Sequence, residues 1–69
     1  MIMQAVIRFE LQGLSAGLYR LFSEEGMEIG WSVVSTSTNR CIEAISFEHA
    51  RHMLEGCINE IWSRVGYQA

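Results

Sequence analysis

Gly13-Leu14-Ser15-Ala16-Gly17-Leu18-Tyr19-Arg20-Leu21-Phe22-Ser23-Glu24-Glu25-Gly26 is the stretch whose reading decides the fold. As a helix, it stacks Leu14, Leu18, Leu21 and Phe22 on one face at i, i+4, i+7 and i+8. Gly26 then falls just past the end, with Met27 as the apolar residue that accompanies such a cap. As a strand, Leu18 to Ser23 pairs with Met27 to Val34 across a Glu-Glu-Gly turn. Gly17 and Tyr19 suit the strand, whereas the apolar spacing and the cap suit the helix. The helix is the reading adopted.

The flanks are easier to read. Upstream, Met3, Ala5, Ile7, Phe9 and Leu11 alternate with Gln4, Val6, Arg8 and Glu10, the period of a half-buried strand. Downstream, Met27, Ile29, Trp31 and Val33 share one face of a second strand, and Glu28, Gly30, Ser32 and Val34 the other. The polar tract from Ser35 to Arg40 holds a turn, and Cys41 to Ile45 is a third strand. The connection is too short for a crossover, so these two strands run antiparallel. From Phe47 to Val65, Ala50, Met53, Leu54, Cys57, Ile58, Ile61, Trp62 and Val65 recur at the spacing of one helix face. Ser46 is placed to cap that helix, with Glu48 favourable to its dipole.

The predicted architecture is therefore a single α+β domain over residues 1–69, in the order β-α-β-β-α. A three-stranded antiparallel sheet carries both helices on one face. The alternative is a meander of four strands followed by one long C-terminal helix.

Composition narrows the function classes. At 49% hydrophobic and 19% charged residues, the chain is too apolar for intrinsic disorder. A chain of 69 residues has little core, about 3–5 kcal/mol unaided, and such domains are commonly reinforced by disulfides, a metal or oligomerisation. The formal charge is −3, and the five basic residues, all arginine, are scattered singly. That balance disfavours nucleic acid as a partner. Met1 to Phe9 has neither the length nor the charged flank of a signal peptide, and no run approaches the length of a membrane span. Free thiols without a secretion signal point to a cytoplasmic protein. Cys41 and Cys57 both fall in apolar patterns and read as small buried hydrophobes.

No catalytic constellation is visible. The serines lie outside any G-x-S-x-G context, and the glycines at 13, 17, 26, 30, 56 and 66 form neither a phosphate loop nor a dinucleotide fingerprint. Glu24 and Glu25 are adjacent carboxylates in a turn or at a helix end, without the pocket that would separate their pKa values. His49 and His52 stand at i and i+3 with no further ligands at metal spacing, and read as solvated. No enzyme activity, cofactor or metal is expected.

The passage from Gly13 to Ile29, with the Ser46-Phe47-Glu48-His49-Ala50 stretch, resembles the ACT-type ferredoxin-like regulatory domains. The resemblance implies a dimer with sheets paired side by side and an amino-acid ligand near Gly13, Leu14 and Ser15. The acidic residue common in that loop is missing, and only Gly66 to Ala69 follow the second helix, too few for the usual fourth strand.

What remains is apolar surface. Two helices cover one sheet face, leaving the face with Val6, Arg8, Ser32, Val34 and Thr36. Trp31 and Trp62 read as core residues that would become interface anchors if half-exposed. The expected function is binding another protein, as adaptor or regulator and as a homodimer, with Val6, Arg8, Trp31 and Val34 as candidate interface. An ACT-like small-molecule sensor is the first alternative and a nucleic-acid accessory factor the second.

Overall fold

Gln12 and Gly13 both adopt positive φ, 50° and 82°, and so close a two-residue hairpin between two long strands. The computed structural model describes residues 2–36 and 40–68, without the side chains of Arg40, Cys41, Tyr67 and Gln68. Strand β1 (Ile2–Leu11) pairs antiparallel with β2 (Leu14–Phe22), β2 with β3 (Glu28–Ser35), and β3 with β4 (Arg40–Ala44). The sheet order is β1-β2-β3-β4, a meander, and the helix α1 (Phe47–Gln68) crosses one face. The molecule measures 46 × 20 × 16 Å.

The segment 14–22 is thus a strand, and the expected β-α-β-β-α order with three strands gives way to the four-strand meander and single C-terminal helix. The reason lies in the period. Leu14, Leu18 and Phe22 are four residues apart, and every fourth residue shares a face in a helix and in a strand alike. Leu21 separates the two, since in the strand it points away from Leu18. There it is 6% exposed, opposite Met3 on one neighbour and Gly30 on the other. Gly26, with φ 86°, is a turn residue and not a helix cap. Its N–H donates to the Ser23 carbonyl at 3.0 Å, and the Ser23 N–H donates to the Met27 carbonyl at 2.8 Å. The Ser23 hydroxyl accepts from the Met27 N–H at 3.2 Å and completes the turn.

The registers sort the side chains. Toward α1 stand the rows Phe9–Ala16–Ser35, Ile7–Leu18–Val33–Ile42 and Gln4–Arg20–Trp31–Ala44. Away from it stand Ala5–Tyr19–Ser32–Glu43, Met3–Leu21–Gly30 and a row of Arg8, Gly17 and Val34. Ala16, Leu18, Val33 and Ala44 make the core with Ala50, Leu54 and Ile61 of the helix. Phe9, Leu11, Leu14, Trp31, Met53, Cys57, Ile58 and Val65 pack around them. Cys57 is a free, half-buried thiol; the Cys41 side chain lies outside the described residues.

Ser46 caps α1 as its type and place suggest. Its hydroxyl accepts from the His49 N–H at 3.1 Å and its carbonyl from the Ala50 N–H at 3.0 Å. His49 Nδ1 accepts from the Ile45 N–H at 3.4 Å, which ties the first turn back to the end of β4. The tract from Ser35 to Arg40, read as a turn, is described only at Ser35, Thr36 and the Arg40 backbone. At this C-terminal end of β3, Ser15 and Thr36 extend the sheet: the Thr36 N–H donates to the Ser15 carbonyl at 3.0 Å, and the Ser15 N–H donates to the Thr36 hydroxyl at 2.8 Å.

Candidate functional site

The side of the sheet away from the helix is less bare than its composition suggests. Tyr19 folds its ring back over Gly17, so close that a Cβ there would meet ring carbon at 2.9 Å. Gly17 is buried beneath it, Ser32 is 1% exposed and Val34 is half-buried. Short side chains and one covering tyrosine leave little apolar area at the centre of this face.

Exposed apolar side chains lie at both ends of the sheet, with Met27, Ile29 and Ile45 around β3 and β4, but one edge strand carries a run of them. Ile2, Met3, Val6 and Ile7 are 55%, 46%, 44% and 37% exposed, four large apolar side chains on one strand. The sequence cause is two adjacent apolar doublets, Ile2-Met3 and Val6-Ile7. A doublet puts one side chain on each face, or forces a bulge. Both occur: the pairing shifts register between Ala5 and Ile7, so Val6 is an extra residue, while Ile2 and Met3 go to opposite faces.

The helix covers none of them: Met3 stands on the far face of the sheet, Val6 is in the bulge, and Ile2 and Ile7 lie at the outer strand. The helix lies mainly over β2 and β3. Toward β1 it sends Trp62, whose ring centroid stands 6.2 Å from that of Phe9 at a tilt of 49°. Trp62 stays 55% exposed. Toward the start of α1, Phe47 meets Trp31 edge-on at 5.1 Å, and the Arg20 guanidinium lies 4.9 Å over the Trp31 ring. Glu28 stands 3.9 Å from Arg20 Nε, an ion pair too long for a hydrogen bond, and that buried nitrogen has no hydrogen-bond partner.

The residues singled out from the sequence therefore scatter. Arg8 and Val34 share one row on the uncovered face, Val6 sits in the bulge, and Trp31 is on the opposite, helix-covered face. Gly13 belongs to the hairpin turn, and Leu14 and Ser15 open β2. The loop that the ACT resemblance assigns to a ligand leads here into a strand and not a helix. Sequence reasoning passed over Ile2, Met3 and Ile7 as exposed residues, although the doublets in β1 were a visible signal; Trp62, read as core unless half-exposed, is 55% exposed.

One cleft of about 220 Å³ lies past the last β3–β4 pair, lined by Leu21, Ile29, Gly30, Trp31, Glu43 and Ala44. It is small for an organic ligand, and Glu43 is its one titratable side chain. Among the described residues, no group of three or more histidine, cysteine or acidic side chains comes together, and no helix is long and apolar enough to cross a membrane. His49 and His52 are both exposed on α1. Comparison with known proteins finds no matching family model and no match among curated proteins or solved structures.

Proposed function

We propose that this chain works by binding protein, without a catalytic part, and that its first partner is a second copy of itself. The observation that carries the reading is the run of exposed apolar side chains along a single edge strand, Ile2, Met3, Val6 and Ile7. Isolated exposed apolar residues are ordinary, but four on one edge strand, divided between its two faces, leave an apolar edge, and exposed apolar surface of that kind marks interaction sites. The size of the chain supports the same reading, because self-association adds buried area to a chain of 69 residues with little core of its own.

Light scattering over a concentration series tests it. The expected result is a particle of twice the 7.9 kDa chain mass at micromolar concentration, dissociating on dilution. A monomer persisting at high micromolar concentration would refute self-association.

A further inference from the structure

Resting on that reading, we infer that the dimer forms by antiparallel pairing of the Ile7–Leu11 half of β1 with its own copy, about a two-fold axis at Phe9. The argument begins with which strand edge is available. In the order β1-β2-β3-β4, the outer strands are β1, of ten residues, and β4, of five. Natural sheets guard long edges with proline, lysine, bulges or brevity. Strand β1 has no proline or lysine; its guards are the charged pair Arg8 and Glu10 and the bulge at Val6, which breaks its edge into Ile2–Ala5 and Ile7–Leu11.

The backbone of the second segment is set up to pair outward. A two-residue turn makes its flanking residues, Leu11 and Leu14, a hydrogen-bonded pair, and bonded and non-bonded pairs then alternate along the hairpin. Glu10–Ser15 is therefore non-bonded. Ser15 agrees, because both its N–H and its C=O are engaged with Thr36 on the other side. By the same alternation, the backbone groups of Arg8 and Glu10 turn to the free edge.

Charge then selects the register. A two-fold axis at Arg8 sets Arg8 against the partner's Arg8, and an axis at Glu10 sets two glutamates together. An axis at Ile7 runs the pairing into the bulge. With the axis at Phe9, Arg8 faces the partner's Glu10 and Glu10 faces the partner's Arg8, two reciprocal ion pairs on exposed side chains. This register makes Arg8 and the partner's Glu10 a hydrogen-bonded pair, which is what their outward backbone groups require. On the helix side it brings Phe9 against the partner's Phe9 and Ile7 against the partner's Leu11; of the exposed apolar residues of β1 it covers Ile7 and leaves Ile2, Met3 and Val6 outside the paired segment. Trp62, leaning on Phe9 and half in solvent, would be covered by its own copy. The eight-stranded sheet then carries both helices on one face.

Reciprocal charge reversal tests the register. Arg8 and Glu10 are exposed, so Arg8→Glu and Glu10→Arg should each fold normally, which far-UV circular dichroism checks. Each variant alone meets like charge at both pairs, and its dimer should weaken roughly tenfold or more. Mixed in equal amounts, they set the two glutamates of one chain against the two arginines of the other. Sedimentation of the mixture should then show dimer restored to near wild-type affinity. Wild-type protein that is monomeric refutes the self-association itself. A wild-type dimer whose affinity neither reversal changes, or reversals that weaken it without rescue on mixing, overturns the Phe9 register and leaves self-association standing.

Discussion

Removing the buried end of the helix stripe should remove most of the stability of the chain. Ile61 is 0% exposed and Leu54 is 3% exposed, and both belong to the core cluster with Leu18 and Val33. Ile61→Ala deletes three carbons, about 2.4 kcal/mol at roughly 0.8 kcal/mol per buried methylene. The cavity left behind brings the expected cost to about 2–5 kcal/mol, and the same range holds for Leu54→Ala. A globular chain holds about 0.05–0.15 kcal/mol per residue, so roughly 3–10 kcal/mol here. Ile58 is only half-buried, and Ile58→Ala should cost about half as much. Arg51→Ala should shift stability by less than about 0.5 kcal/mol, since its ion pair with Glu48, 3.0 Å long, lies between side chains 52% and 75% exposed. The assay is urea unfolding followed by far-UV circular dichroism, at one fixed concentration because self-association makes the midpoint concentration-dependent. The expected order of loss is Ile61 and Leu54, then Ile58, then Arg51. An Ile61→Ala midpoint indistinguishable from wild type would refute the docking of α1 on this sheet.

Gly56 sits in the helix interior, where an added Cβ meets nothing within 4 Å, so Gly56→Ala should raise stability by about 0.5–1 kcal/mol in the same assay. Ser46→Ala removes the hydroxyl that accepts from the His49 N–H and should cost about 1 kcal/mol, read as an earlier urea midpoint. Gln12 holds φ 50° before Gly13, and Gln12→Asn supplies the favoured first residue of such a turn; a later midpoint with an unchanged slope is the expected outcome. Acrylamide should quench Trp62 more readily than Trp31 in dilute monomer, measured with Trp62→Phe and Trp31→Phe variants, because Trp62 is 55% exposed and Trp31 is packed against Phe47.

The helix was legible because two independent signals agreed. The recurrence of Ala50, Leu54, Ile61 and Val65 set its inner face, and Ser46 set its start, and both stand in the structure. Strands β1 and β3 were legible as strands, within a residue or so at their ends, but the single face expected for Met3, Ala5, Ile7, Phe9 and Leu11 is split, because the bulge at Val6 puts Met3 and Ala5 on the side away from the helix. The segment 14–22 was not, because its leucines satisfy both periods and Gly26 suits a turn as well as a cap. Gly17 and Tyr19 held the decisive information in local form: the ring of residue 19 covers residue 17 on the same strand face, a contact that period 2 permits and a helix does not. The degree of burial was legible least. Trp62 falls in the apolar stripe with Ile61, yet it lies at the stripe's flank, where exposure depends on how wide the sheet is.

That width explains why a binding surface would lie at β1. Four strands at about 4.8 Å spacing set the outer strands about 14 Å apart. A single helix about 10 Å across can roof the two central strands and little more. Helix α1 does so, resting on β2 and β3 and touching β1 chiefly through Trp62 and Phe9. Had residues 14–22 formed a second helix, three strands under two helices would have had their covered face fully roofed. By using that segment as a fourth strand, the chain widens its sheet and halves its roof. Uncovered area must then appear at the edges. Of the two edges, β4 has five residues and β1 has ten, with Ile2, Met3, Val6 and Ile7 among them. The choice that turned Gly13–Gly26 from helix to hairpin thus also decides where this protein has apolar surface left to bury.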